Sequence, residues 1–259
     1  MRTLGIDIDG VLNDHRRQFS RVLQAVAGKR LDENSISVIP VHKMPDSDVT
    51  EADEHAVFNW PRYWAEMPAI NEPVGSIVHR LAAEHGARVC VFTNRNWPNP
   101  RTIPLDRERE YWNEWVKYSP WANLGMLQHV PLVRHAMDLL GCSERLNRHL
   151  ITRVTNDWLR RHRIHYHSLV IERQSSHRHG PGAAMDRYAY ASKQRFWVFV
   201  EDNPMNACRL AANCEIVFLM DHPYNREGQA ALPSNVVRVD SWNQILEALS
   251  GVRLVVGSA

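Results

Sequence analysis

The chain contains no apolar run approaching the roughly 18 residues needed to cross a bilayer, so no membrane helix is expected. Its first apolar stretch is interrupted by Asp7 and Asp9, and no small-residue cleavage site follows. The N-terminus therefore does not read as a signal peptide, and a cytoplasmic protein is the expectation. The four cysteines, Cys90, Cys142, Cys208 and Cys214, form no CxxC pair. Neither a cysteine zinc site nor a disulfide framework is expected, and Cys90, inside an apolar run, reads as a small core residue. Charge of one sign is also scarce. A net charge of +2 is too weak to indicate nucleic acid by itself. There is no internal repeat and no low-complexity linker.

What is present is a globular composition, with 44% hydrophobic and 23% charged residues in 259 positions. That length suits one large domain, or one domain carrying a smaller insert. Three short runs, residues 3–8, 88–92 (Arg-Val-Cys-Val-Phe) and 196–200 (Phe-Trp-Val-Phe-Val), are continuously apolar and end in polar residues. Continuous rather than alternating apolarity fits strands of a parallel sheet covered on both faces. Residues 168–171, 216–220 and 236–239 are three further strand candidates. Helical spacing lies between them: Val74, Ile77, Val78 and Leu81 share a face, and Gly86 follows as a stop. Residues 153–163, with Val154, Trp158 and Leu159 on one side, and residues 206–212 and 242–249 complete the alternation. The pattern predicts an α/β fold with a doubly wound, Rossmann-like parallel sheet.

Two stretches depart from it. Residues 13–73 open with a helix (Phe19, Val22, Leu23, Val26), pass through an acidic run and end in Phe58-Asn59-Trp60-Pro61-Arg62-Tyr63-Trp64. They read as a small, mainly helical cap inserted between residues 1–12 and 74–259 of the core. Residues 97–150 read as a second helical insertion, rich in tryptophan and arginine; most of the chain's nine tryptophans lie between Trp60 and Trp158.

In an open parallel sheet, ligands gather beyond the carboxyl ends of the strands. The first strong strand ends in Asp7-Ile8-Asp9-Gly10, the second in Thr93-Asn94-Arg95 and the third in Glu201-Asp202-Asn203-Pro204. Any one of these occurs in ordinary turns, because Asp, Asn, Gly and Pro favour them. Three in order, each directly after a buried strand, deliver an oxygen-rich cluster suited to magnesium.

These motifs resemble the haloacid dehalogenase (HAD) superfamily of phosphatases. Asp7-Ile8-Asp9-Gly10-Val11 is similar to its first motif, Thr93 in Val91-Phe92-Thr93-Asn94 to its second and Glu201-Asp202 to its fourth. The likeness covers the sheet core. Phe218-Leu219-Met220-Asp221-His222-Pro223-Tyr224-Asn225 resembles a segment of the branch containing 5'-nucleotidases and deoxyribonucleotidases. The resemblance implies that Asp7 is the nucleophile and Asp9 the acid/base, with Mg2+ held by Asp7, the backbone carbonyl of Asp9 and Asp202. Thr93 and the Asn94 backbone would hydrogen-bond phosphoryl oxygens. The family's third motif supplies a cation. Lys193, nine residues before Asp202, is preferred for its compact ammonium, and Arg187, fifteen before, is the alternative. Glu201 reads either as a ligand acting through water or as an acceptor of local backbone hydrogen bonds.

The inserts leave substrate choice open. Phe58, Trp60, Tyr63 and Trp64 either pack the cap or stack on a base. Arg95, Arg101, Arg107, Arg109 and Lys117 either bind a second anionic group, form a solvated face or line a homodimer surface. His162, His165, His167, His177 and His179 suggest a metal cluster without a clear third-ligand framework. The arginine-rich run 145–167 keeps nucleic acid as an alternative that is not favoured. The expected activity is a Mg2+-dependent phosphomonoesterase acting on a small phosphorylated metabolite such as a nucleotide. A phosphatase acting on nucleic-acid ends and a non-catalytic phosphate-binding protein of the same fold are the alternatives.

Overall fold

The structure, a computed structural model, describes residues 1–37, 40–70, 73–95, 107–127, 130–173, 195–226 and 231–256. In chain order these form β1 (Arg2–Asp7), α1 (His15–Ala27), α2 (Glu51–Asn59), α3 (Pro61–Ala65), α4 (Val74–His85), β2 (Ala87–Arg95), α5 (Glu108–Tyr118), α6 (Asn123–Met126), α7 (Pro131–Leu139), α8 (Cys142–Arg161), β3 (Ser168–Arg173), β4 (Phe196–Glu201), α9 (Pro204–Ala211), β5 (Cys214–Met220), β6 (Val236–Val239) and α10 (Trp242–Val256). Two compact units result. The first comprises Met1–His15, Pro68–Asn94 and His162–Ala259, and the second Arg16–Met67 and Arg95–Arg161. No helix among the described residues is long and apolar enough to cross a membrane.

The first unit is built on a six-stranded parallel sheet in the order β3-β2-β1-β4-β5-β6. This is the doubly wound order, and it reverses direction beside β1, which pairs with β2 on one side and β4 on the other. The expected strands are all present. β1 is buried from Thr3 to Asp7 and β4 throughout, as covering on both faces requires. One face packs Cys90, Phe92, Phe196, Phe199, Leu210 and Val217 into a single cluster. Gly5 faces Phe199 across the β1–β4 pair, and a Cβ there would lie 2.0 Å from the ring, so only glycine admits the phenylalanine. Cys90 is buried at 1% exposure, and the four cysteines form no disulfide. α4 stops at Gly86, whose φ of 58° puts it in the left-handed region and whose N–H caps the Ala82 and Ala83 carbonyls.

In its described residues the second unit is helical. The acidic run near residue 50 becomes the start of α2, where Thr50 and Asp53 bond each other's backbone in a capping box. Residues 13–73 and 97–150, read separately from the sequence, both contribute to this unit. Its centre is aromatic: Trp112, Trp115 and Trp158 are fully buried, and the Trp158 indole donates to Met67 O at 2.6 Å. Tyr63 and Trp64 meet edge-on at 4.6 Å, with Phe58 against both. Trp60, Tyr63 and Trp64 are only 2–4% exposed, so they pack and offer no face for stacking a base.

Two helix boundaries differ from the sequence reading by more than a turn. α8 begins at Cys142 rather than near residue 153, because Leu146, Leu150, Val154 and Trp158 continue one buried stripe at four-residue spacing without a breaker. α10 runs on through Gly251 to Val256.

Gly75, in the first turn of α4, sets the approach of that helix to the chain entering β3. A Cβ there would stand 2.6 Å from His162 O and 2.8 Å from Arg163 O, both backbone atoms with little room to yield. Gly75→Ala is expected to destabilise the protein by about 1–3 kcal/mol, lowering the thermal midpoint by a few degrees. Thermal denaturation of the variant checks this, and an unchanged midpoint would show that the helix can move aside.

Candidate active site

β1 ends at Asp7 and the chain turns at once. The Val11 and Leu12 N–H groups both return to Ile8 O, at 3.3 and 2.9 Å. The turn passes through Gly10 at a φ of 82°, and a Cβ there would also stand 2.3 Å from Asp202 Oδ2. Three backbone groups of this buried loop are tied down by side chains. Gly10 N–H donates to Asn13 Oδ1 at 3.1 Å, His222 Nε2 reaches Gly10 O at 2.6 Å, and the Trp242 indole donates to Val11 O at 2.9 Å. The result fixes Asp9. Its Oδ1 accepts from Asn13 Nδ2 at 2.8 Å and its Oδ2 from the Thr93 hydroxyl, at the end of β2, at 2.7 Å.

Asp7 has different company. Asp7, Glu201 and Asp202 place one carboxylate oxygen each within 4.8 Å of the others, the one such grouping among the described residues. Asp7 is 4% exposed and Glu201 fully buried. Burial first, and then the charges of Glu201, Asp202 and Asp9, push the Asp7 carboxyl well above its ordinary range. Burial, followed by Asp202, does the same to Glu201. Glu201 Oε1 accepts from the Asn203 N–H at 3.1 Å and from Asn206 Nδ2 at 3.4 Å, so it does serve local structure. Its Oε2 and Asp7 Oδ1 are buried without a hydrogen-bond partner. Two orphaned oxygens and three converging carboxylates fit a hard divalent cation such as magnesium, whose charge would relieve the repulsion and whose preference is for oxygen donors.

Five of the residues singled out from the sequence, Asp7, Asp9, Thr93, Asn94 and Asp202, thus fall in one unit at the carboxyl edge of β1, β2 and β4. Asn94 is half-buried, with its Oδ1 unpartnered. Arg95 differs from the expectation of a substrate-binding residue. It is fully buried in the second unit, donates from Nη1 to Thr155 Oγ1 at 2.9 Å and lies 5.0 Å over the Trp64 ring. Lys193 and Arg187 lie outside the described residues, as do His177, His179 and Arg101. His167 accepts the Val89 N–H at 3.0 Å and His165 meets the His79 ring, and among the described residues neither belongs to a group of metal-ligating side chains.

Several residues at the site were not singled out individually: Asn13, His15, His222, Tyr224 and Asn225. The Tyr224 hydroxyl donates to Asp202 Oδ2 at 2.5 Å, and His15 Nε2 lies 3.2 Å from the same hydroxyl. Burial holds the His15 pKa below its usual range, with the His222 charge adding to that depression. The segment carrying His222 and Tyr224 stood out in the sequence through its resemblance, but nothing local links residue 15 to residue 224.

The raised carboxyls have a consequence for stability. In the unfolded chain Asp7 and Glu201 lose their protons in the ordinary carboxylate range, while the folded, metal-free protein holds them to higher pH. Over that window the unfolded state binds fewer protons, so stability falls as pH rises. The metal-free protein is expected to melt at lower temperature at about pH 8 than at about pH 5, with Asp7→Asn flattening the slope and adding about 1–3 kcal/mol at neutral pH. Melting curves in chelator check this; a variant as pH-sensitive as the wild type would remove Asp7 from the explanation.

No family model matches the chain, and no curated protein matches it. Among solved structures it is similar to protein tyrosine kinase A of Mycobacterium tuberculosis, at 16% identity over 96% of this chain and 98% of that one, with a TM-score of 0.53. A predicted phosphatase from Clostridium acetobutylicum matches at 9% identity over 96% and 98%, with a TM-score of 0.50. A haloacid dehalogenase-like family hydrolase from Xanthomonas campestris aligns at 13% identity over 100% and 99%, with a TM-score of 0.43. The first two likenesses show the fold. One bears the name of a kinase and the other of a phosphatase, so the chemistry has to be read from the residues.

Proposed function

We propose that the chain is a magnesium-dependent phosphomonoesterase of the HAD type acting on a small phosphorylated metabolite, with nucleotides as the first candidates. The observation that carries this reading is the division of labour between two aspartates two residues apart. Asp7 is buried among carboxylates and keeps an unpartnered oxygen, whereas Asp9 is oriented by Thr93 and Asn13. That is what a nucleophile and a separate acid/base require.

In this reading Asp7 attacks phosphorus and forms an aspartyl-phosphate, while Asp9 protonates the leaving oxygen. Asp9 then takes a proton from the water that hydrolyses the intermediate. The Thr93 hydroxyl, which donates to Asp9 in the free protein, turns to a phosphoryl oxygen as the substrate enters, leaving Asn13 to hold Asp9, and the Asn94 backbone contributes a second hydrogen bond to the phosphoryl group. Asp7, Asp202 and the Asp9 carbonyl, with Glu201 beside them, would hold magnesium, which when bound keeps Asp7 ionised and neutralises charge on the transferring phosphoryl group. Lys193, or in its place Arg187, supplies the phosphate-pairing cation.

A nucleic-acid end as substrate gains no support from the arginine-rich helix. Arg145 caps Leu140 O, Arg153 donates to Tyr118 O and Arg161 donates to Ala65 O, so these guanidinium groups serve the second unit itself.

Phosphate release from a panel of nucleotides, sugar phosphates and end-phosphorylated oligonucleotides tests the proposal. Magnesium-dependent turnover of at least one monoester is expected, with Asp7→Asn abolishing it and Asp9→Asn lowering kcat about 10²–10⁴-fold. Absence of any magnesium-dependent release from the wild type across the panel would end the enzyme reading. Lys193→Ala is expected to lower kcat/KM more than Arg187→Ala; steady-state kinetics in the reverse order would transfer the cation's role to Arg187.

A further inference from the structure

We propose that Tyr224 is the positioning residue that holds Asp202 in a metal-ligating orientation, and that His15 acts on the site through the Tyr224 hydroxyl. The inference rests on reading Asp7, Glu201 and Asp202 as a divalent-cation site.

Asp202 lies just past the end of β4 and is only half-buried, so its carboxylate has room to rotate unless something fixes it. Two contacts from one loop do so. The Asn225 side chain donates to Asp202 O at 2.7 Å, which sets the backbone, and the Tyr224 hydroxyl donates to Oδ2 at 2.5 Å, which sets the carboxylate. The tyrosine occupies one of the two oxygens and leaves the group's remaining acceptor capacity for a cation.

Tyr224 is itself held on three sides. Its ring stacks on His222 at 5.0 Å and 12°, and meets His15 edge-on at 5.4 Å. A Cβ on Gly10 would stand 2.7 Å from the Tyr224 hydroxyl as well as against Asp202, so the glycine is what lets hydroxyl and carboxylate close over it. A tyrosine hydroxyl has a single proton. With that proton on Asp202, His15 Nε2, 3.2 Å away, is the donor to the tyrosine oxygen.

His222 Nε2 donates to Gly10 O, its backbone N–H donates to Asn225 Oδ1 at 3.1 Å and its carbonyl accepts the Asn225 N–H at 3.0 Å. These contacts hold the stacking partner in place. The loop is braced from β6. Arg238 donates to Asn225 Oδ1 at 2.7 Å, to Asn225 O at 3.0 Å and to Asp221 Oδ1 at 2.7 Å, while Arg226 takes the other Asp221 oxygen. Burial opposes ionisation of Asp221, but Arg226 and Arg238 outweigh it and hold that carboxyl below its usual range. The segment of residues 221–226 is therefore a rigid bracket whose working end is one hydroxyl.

The test is titration of Mg2+ into the purified, metal-free full-length chain by calorimetry, for wild type, Tyr224→Phe, His15→Ala and the double variant, with Asp202→Asn as the reference for loss of binding. Phenylalanine keeps both ring contacts and removes only the hydroxyl. Tyr224→Phe is expected to weaken Mg2+ binding about 10–100-fold with the metal-free melting temperature unchanged. His15→Ala is expected to weaken it less, and the double variant to bind no worse than Tyr224→Phe, because His15 has no route to the metal once the hydroxyl is gone. Wild-type affinity in Tyr224→Phe overturns the proposal, as do single losses that multiply in the double variant. If Tyr224→Phe does not fold, His15→Ala decides alone: weaker binding supports the proposal and wild-type binding overturns it. A wild-type protein that binds no Mg2+ removes the cation site itself and the proposal with it, a result distinct from normal binding with an indifferent Tyr224.

Discussion

Repulsion among Asp7, Glu201 and Asp202 is the constraint around which the first unit is arranged. Three carboxylates with ligand oxygens within 4.8 Å, two of them buried, form a cluster that is unfavourable when fully ionised, and burial with mutual repulsion raises the pKa of Asp7 and Glu201. The sheet order makes the cluster possible. β1 and β4 are neighbours at the point where the winding reverses, so Asp7 and the Glu201-Asp202 pair arrive at the same edge although 194 residues separate positions 7 and 201. Backbone groups in the turn after β1 are then satisfied one by one, by Asn13, His222 and Trp242, so that the turn can hold Asp9 apart from the cluster.

The same edge shows how abruptly a chain changes role. Thr93, Asn94 and Arg95 are consecutive in β2. The first orients Asp9 and the second presents an unpartnered oxygen, while the third is buried with Thr155 and Trp64 in the second unit. An arginine beside an anion-binding motif invites assignment to the ligand. Here its planar guanidinium, covered by an aromatic face and hydrogen-bonded within helix α8, serves packing. The tryptophans follow the same logic. Trp60, Trp64, Trp112, Trp115 and Trp158 lie in the core of the second unit, because large rings bury much apolar area in a small helical body, whereas Trp121 is exposed.

Much of this was legible in advance. Continuous apolar runs located the strands that became β1, β2 and β4, and the stripe from Val74 to Leu81 with its glycine stop located α4. The positions of Asp7, Thr93 and Asp202 at strand ends followed from those runs. Less legible were features that depend on partners far along the chain. Glu201 left two readings open, and the structure shows it accepting the Asn203 backbone N–H and also facing the cluster. The start of α8 was missed because its amphipathic stripe crosses what looked like an insertion boundary.

By itself the sequence determined the element types, the doubly wound architecture and the residue chemistry at each strand end, because apolar spacing, glycine stops and oxygen-bearing side chains act over a few residues. Only the tertiary structure decided which of those groups meet. Strand order and register bring Tyr224 to Asp202, His15 to Tyr224 and His222 to Gly10, across separations that no local pattern encodes. They also bury Arg95 with Thr155 and under the Trp64 ring. The physical reason is the range of the interactions. Backbone periodicity is set by adjacent residues, whereas a hydrogen bond to a carboxylate is set by the packing of a whole sheet.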